Sequence, residues 1–375
     1  MTRPPVLILA NHIDGLGGVE RVAHGLAAGL SGRGYDVALR GIRPTSGPSA
    51  QMTMTGYTTG FMSDRTERPE GERPHPAVVR RAMRREALDN LRTTLADYRD
   101  GVVICMQVYS MEHLVELGLD DLLDSGTRII GQYHWSYQGA RSNTDFDRLS
   151  RTYRRIDKFL LLTQADADNF TRHNFNNAGA MPNPLWLKAQ AAEDIPRSKR
   201  LVALSRYDAV KQLDHALRAW ARVAPDFPDW SFELYGDGPM RAELAALIDD
   251  LGISDSARLM GPTNDVEGVL RSSRLSVLSS QFEGLPMVLA ESLACGVPAV
   301  AYDCAPGVSE IITDGVDGFV VPQNHIPGLA SALRTLMADE ELTARMGAAG
   351  HVSARRYDRE HVMDRWEDLI ARVQR

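Results

Sequence analysis

The chain has 375 residues, of which 43% are hydrophobic and 24% charged, and a formal net charge of −7. That length predicts two domains rather than one, and the composition is that of a globular protein rather than a disordered or disulfide-framed one. Charge is uneven: residues 1–190 carry 23 basic and 21 acidic side chains and the remainder 19 and 28; nothing in this demands nucleic acid, the acidic C-terminal half argues against it, and no nucleic-acid partner is expected.

Cys105, Cys295 and Cys304 fall in no metal-ligand spacing and read as reduced thiols. The first ten residues run straight into a strand, and their apolar part is too short for a signal peptide. The expected location is the cytoplasm, with a peripheral position at the inner face of the membrane left open.

In chain order, Val6–Ala10 reads as a buried parallel strand followed by the loop Gly15-Leu-Gly17-Gly18. Val19, Val22, Ala23, Leu26, Ala27 and Leu30 then repeat at helical spacing up to Gly32 and Gly34. Strand, glycine loop and helix make a Rossmann-like opening, although no third glycine completes a dinucleotide fingerprint. Residues 37–42 predict a second strand, and 43–76, rich in Pro, Gly, Thr, Ser and charge, a long irregular excursion. Residues 77–98 predict a helix with Val78, Ala82, Leu88, Leu91 and Leu95 partly on one side. Its arginines would suit a membrane surface or an anionic acceptor, whereas Glu86, Asp89, Asp97 and Asp100 favour a solvated face.

Short strands follow at 102–106, 128–133 and 159–162, the second running into His134, whose place at a strand's C-terminal end points toward a ligand crevice. Asp145/Asp147 and Asp166/Asp168 both form D-x-D but precede or open helices, where acids serve as caps, and both read as structural. A polar linker is expected at 185–199. The next strand, at 201–204, leads to Ser205-Arg206 and Lys211, two cations ahead of a helix and a phosphate-binding arrangement. Only four lysines occur in the chain, which gives Lys211 added weight. Strands at 232–235 and 258–261 flank a helix at 240–251, and the amphipathic tail carries Trp366, Leu369, Ile370 and Val373.

The most informative stretch is 279–295. A strand at 275–278 leads into Ser-Ser-Gln-Phe-Glu283-Gly284-Leu285-Pro286-Met287, and a helix beginning near Pro286 carries Glu291. The amides of residues 284–288 and the helix dipole make an anion cradle between two acids. The pattern Glu-x7-Glu continues through Gly296-Val-Pro298, Asp303, Gly307, Glu310-Ile-Ile and Asp314-Gly315-x-x-Gly318. It resembles family 4 of the retaining, nucleotide-sugar-dependent glycosyltransferases, and within it the α-glycosyltransferases of polyol-phosphate and other cell-envelope polymers.

The resemblance implies an α/β GT-B fold: two Rossmann-like domains facing a central cleft. Residues 1–190 would bind acceptor, 197–355 the donor, and 356–375 would form a helix crossing back to the first domain. It implies that Glu283 and His134 contact the donor sugar, Glu291 the ribose, and Arg206 and Lys211 the diphosphate. Gly17, Gly18, Gly284, Leu285, Pro286 and Met287 would line the donor phosphates, and backbone near Met260 the base. The family usually has Gly where this chain has Ser205 and Gln212, departures that leave the charges in place.

The implied reaction is transfer, with retention, of a hexose or N-acetylhexosamine from a nucleotide-diphosphate donor, UDP-linked on the family pattern, to an acceptor hydroxyl. A cell-envelope polymer, a glycolipid or a secondary metabolite is the implied acceptor. No cofactor and no metal are implied. A nucleotide-sugar epimerase or hydrolase of the same fold, or a non-catalytic sugar-nucleotide-binding protein, stays open as the alternative.

Overall fold

The computed structural model describes residues 3–15, 17–45, 55–64, 76–187 and 197–374. The chain divides into two compact units, residues 1–184 with 362–375, and residues 185–361. Each is a parallel sheet with helices between its strands.

The N-terminal unit holds β1 (Val6–Ala10), β2 (Val37–Gly41), β3 (Thr58–Phe61), β4 (Val102–Cys105), β5 (Arg128–Gln132), β6 (Lys158–Leu161) and β7 (Ala178–Ala180). Their order is β3-β2-β1-β4-β5-β6-β7. In β1, Leu7 and Leu9 join the core on one face while Val6, Ile8 and Ala10 join that on the other. Period-two alternation into two apolar layers is why such strands read as unbroken hydrophobic runs. The second layer is completed by Val362, Met363, Trp366 and Ile370 of the helix Arg359–Val373.

Two expectations need correction here. Residues 43–76 are not irregular throughout, because β3 pairs in parallel with β2 from Ala38↔Thr58 to Gly41↔Phe61; residues 46–54 and 65–75 lie outside the described residues. The helix Pro76–Leu95 buries Met83, Ala87, Leu91 and Leu95, whereas Val78 is 61% exposed. A spacing of four sets its inner stripe, not the one anticipated through residues 78, 82 and 88.

The C-terminal unit holds β8 (Arg200–Leu204), β9 (Ser231–Tyr235), β10 (Ala257–Gly261), β11 (Leu275–Leu278), β12 (Ala299–Tyr302) and β13 (Gly318–Val321), in the order β10-β9-β8-β11-β12-β13. Of the anticipated linker at 185–199, residues 188–196 lie outside the described residues. Leu185 is 2% exposed and its amide donates to the Tyr357 carbonyl at 2.8 Å, which ties it to this unit. No helix among the described residues is long and apolar enough to cross a membrane.

Candidate active site

In the C-terminal unit the strand order reverses between β8 and β11. Loops leaving the carboxyl ends of two such strands diverge and open a crevice, where parallel α/β sheets bind ligands. Those two loops carry Arg206–Lys211 and Ser279–Pro286. They are stapled together: the Gln281 amide donates to the Val210 carbonyl at 2.7 Å, and Ser279 Oγ to the Lys211 carbonyl at 3.0 Å.

Across this staple Lys211 Nζ lies 2.6 Å from Glu283 Oε1, and Ser280 Oγ donates to the same oxygen at 2.7 Å. The side chains are 20% and 13% exposed, so the pair is partly desolvated. Two donors hold Oε1, while Oε2 accepts no hydrogen bond among the described residues. The ammonium also keeps donors to spare. A carboxylate oxygen for a hydroxyl and a cation for an anion are thus presented side by side. Arg206 is different: its side chain is 77% exposed and, among the described residues, pairs with Asp208 alone, at 3.2 Å.

The helix Met287–Ala294 starts directly after this loop, with Pro286 in the capping position rather than inside the first turn. No hydrogen bond within the described residues occupies the amides of Gly284, Leu285, Met287 or Val288. These amides and the helix dipole favour an anion beside Lys211. Gly307 explains itself here: a Cβ on it would lie 2.3 Å from the Gly284 carbonyl oxygen, so only glycine lets this loop sit where it does. Glu291 is half-buried in the second turn. Cys304 packs close by, and burial, then the charge of Glu283, pushes its thiol up to about 12. It is a neutral packing group, not a nucleophile.

Three features of this site escape sequence reasoning. Gln212, which follows Lys211, has φ 43° and ψ 45°, the left-handed region that favours glycine. Its departure from the family pattern therefore falls on the backbone. Gln212 Nε2 donates to Asn324 Oδ1 at 3.0 Å, while its Oε1 and Ser205 Oγ are buried without a partner among the described residues. Secondly, Met260 is the extra residue of a bulge, since Leu259 pairs with Leu234 and Gly261 with Tyr235. A bulge frees backbone groups at a strand end, and the Met260 side chain is 46% exposed. Thirdly, the Lys211–Glu283 contact joins residues 72 apart in sequence, and only the strand order reveals it.

The N-terminal unit reverses its strand order between β1 and β4. There the Asn11 amide donates to Gln107 Oε1 at 2.8 Å and the Ser110 amide to Asn11 Oδ1 at 3.2 Å. Gly17 caps the helix Gly18–Gly32, and a Cβ on it would meet Glu20 Oε2 at 2.1 Å, whereas a Cβ on Gly18 would meet nothing within 4 Å. The backbone at Gly18 is thus open to approach. Leu16 lies outside the described residues.

His134 follows β5, with Nε2 out of solvent and without a partner among the described residues. Burial holds its pKa down to about 4, so the ring is neutral near pH 7. The two D-x-D stretches are taken up locally. Asp145 accepts from Tyr133 Oη at 3.0 Å and from Arg148 at 2.9 Å. Asp166, 1% exposed, accepts from Thr163 Oγ1 at 2.6 Å and the Tyr137 amide at 2.7 Å.

Residues 188–352 match the family described as glycosyl transferases group 1. An exopolysaccharide phosphotransferase of Streptomyces coelicolor is 40% identical over 183 residues, which is 48% of this chain but 19% of that protein. The amylovoran biosynthesis glycosyltransferase AmsD of Erwinia amylovora is 26% identical over 97% of this chain and 99% of its own. Among solved structures, HepE of Anabaena in complex with UDP superposes with a TM-score of 0.78 at 16% identity, covering 98% of this chain and 99% of that one. Over residues 188–352 the chain matches the group 1 glycosyl transferases, and it has the α/β, GT-B fold of the glycosyltransferases it resembles.

Proposed function

We propose that this protein is a retaining, metal-independent glycosyltransferase. It moves a hexose or N-acetylhexosamine from a UDP-linked donor to a hydroxyl of a cell-envelope polymer, glycolipid or secondary metabolite. One observation carries the reading: a half-buried lysine–glutamate pair stands at the strand-order switch, beside unoccupied amides at a helix N-terminus. The UDP bound to HepE supports the choice of donor, and the exopolysaccharide and amylovoran relatives support a polymeric acceptor.

In this reading Lys211, Arg206 and the amides of Gly284, Leu285, Met287 and Val288 take the diphosphate. Charge builds on the leaving phosphate as the glycosidic bond breaks, and preformed donors there stabilise the transition state. Glu283, its Oε1 fixed by Lys211 and Ser280, turns Oε2 to a sugar hydroxyl and holds the anomeric carbon in line. Glu291 takes the ribose, and the bulge at Met260 the base. Gly17, Gly18 and His134 of the N-terminal unit serve the donor as the family pattern implies, His134 as a neutral hydrogen-bonding ring. No carboxylate pair is assigned as nucleophile and acid. The incoming hydroxyl instead enters on the face the phosphate leaves and gives that phosphate its proton.

The test is product analysis with a panel of nucleotide sugars and acceptors in the presence of EDTA, reading the anomeric configuration by NMR. An α-linked product from an α-linked donor is expected. Inversion, epimerised free nucleotide sugar, or activity only after Mg²⁺ or Mn²⁺ is restored would each displace the reading.

A further inference from the structure

A cavity of about 250 Å³ lies in the N-terminal unit, over the last two strands of its sheet and against the helix Arg359–Val373. Arg365, Asp368, Leu369 and Arg372 form its helical wall, and steps of three and four bring them to one side of that helix. Lys158 lies along its floor, at the start of β6. Gly179 in β7 makes the space, since a Cβ there would stand 2.9 Å from Lys158 Nζ.

Lys158 departs from the chain's other described lysines. Lys199 Nζ stands 2.7 Å from Asp229 and Lys211 Nζ 2.6 Å from Glu283. Lys158 Nζ instead donates to the Ala178 carbonyl at 3.1 Å and meets no carboxylate among the described residues. Burial, and then the neighbouring charge of Arg372, hold its pKa below the usual lysine range. Arg365 is oriented by a 2.9 Å hydrogen bond to the Ala180 carbonyl. Three cations and one carboxylate therefore line a half-open space.

We propose that this cavity is a binding site for a phosphate-class anion, held by Lys158, Arg365 and Arg372. Guanidinium groups present forked donors that match phosphate oxygens, and the ammonium adds a point charge. The excess of positive over negative side chains suits a phosphate ester better than a lone carboxylate. The cavity has room for a phosphate with a short polyol attached. The phosphate of a soluble ester and that of a phospholipid headgroup offer the same chemistry. This site shares no residue with the donor site, and its existence does not depend on the transfer reaction.

The experiment is calorimetric titration of glycerol 3-phosphate at low salt into the full chain carrying Arg206→Ala and Lys211→Ala, which neutralise the other anion site. Binding is expected to persist there and to weaken by about tenfold or more when Lys158→Gln or Arg372→Gln is added. Asp368→Asn is expected to tighten it, a gain that misfolding would not produce. Sedimentation with phosphatidylglycerol vesicles, against phosphatidylcholine, separates the sources. Capture lost in Lys158→Gln assigns the site to a headgroup, and binding of the soluble ester without capture assigns it to a free phosphate ester. Equal affinity in all variants, or binding of neither probe, would overturn the proposal.

Discussion

Both units reverse their strand order at the centre of the sheet, between β1 and β4 in one and between β8 and β11 in the other, and they furnish the two places differently. The N-terminal switch carries the Asn11, Gln107 and Ser110 network, the open backbone at Gly18 and a neutral His134 two strands from β1, with the carboxylates of Asp14, bound to Thr45, and Glu20, beside Gly17, on the loop and helix that follow β1. The C-terminal switch holds a desolvated cation and carboxylate beside a helix N-terminus. One architecture thus places two crevices, and it is the second that sets a lysine–glutamate pair beside the start of a helix.

The largest expected effect tests that division. Lys211→Ala removes a charge-assisted contact and leaves Glu283 half-buried without its cation. Transfer is expected to fall by roughly 10–150-fold, from about 1.5–3 kcal/mol of lost stabilisation. Arg206→Ala removes an exposed side chain that pairs with Asp208, so its loss is expected to lie at the lower end. Steady-state kcat/KM of the two variants measures the order. Near-normal turnover in the double variant would erase the distinction between the switches.

The second expectation splits the two glutamates. Glu283→Gln weakens the grip on the reacting sugar, so kcat falls while donor KM moves less. Glu291→Gln touches a part of the donor that does not change during reaction, so donor KM rises. The reverse pattern would mean that the donor runs the other way along residues 283–291.

A smaller effect concerns backbone. Gln212 occupies the left-handed region, at about 1–2 kcal/mol for a residue other than glycine. Gln212→Gly relieves that strain but gives up the Asn324 hydrogen bond, worth about 1 kcal/mol. Activity is expected to survive, with stability within about 1 kcal/mol of the parent. Urea midpoints measure it, and a collapse of both activity and midpoint would show that the Gln212 side chain itself sustains the Lys211 turn.

A further effect is read against pH and belongs to His134. His134 is held down to about 4 in the folded chain, whereas an unfolded histidine titrates near 6.5. The stability tied to its neutral ring is complete above about pH 6.5 and is lost as pH falls toward 4. The parent is therefore expected to lose more of its urea midpoint between pH 7 and 4.5 than His134→Gln does. Equal losses would place His134 in a more solvated setting than its buried Nε2 indicates.

How much of this was legible in the sequence follows from the range of the signals. β1 is an unbroken apolar run and β11 an apolar run interrupted by Ser276, both closed by polar turns, and local pattern alone marks them. β3 and β7 are short, Thr58-Thr-Gly-Phe61 and Ala178-Gly-Ala180, with too little apolar character to announce a strand. They form because a neighbouring edge offers them hydrogen bonds. The residues of the candidate site were readable from the Glu-x7-Glu stretch and from two cations ahead of a helix. Their coupling was not, because Lys211 meets Glu283 only once β11 returns to lie beside β8. The left-handed Gln212 and the bulge at Met260 are backbone conformations that no residue type dictates.

The most direct test of the charged switch is calorimetric binding of UDP to the parent chain and to Lys211→Ala, both checked for an unchanged fold. If Lys211 and its neighbouring amides receive the diphosphate, UDP affinity falls by roughly 10–150-fold in the variant. Equal affinity in the two proteins would contradict the assignment and put the nucleotide elsewhere.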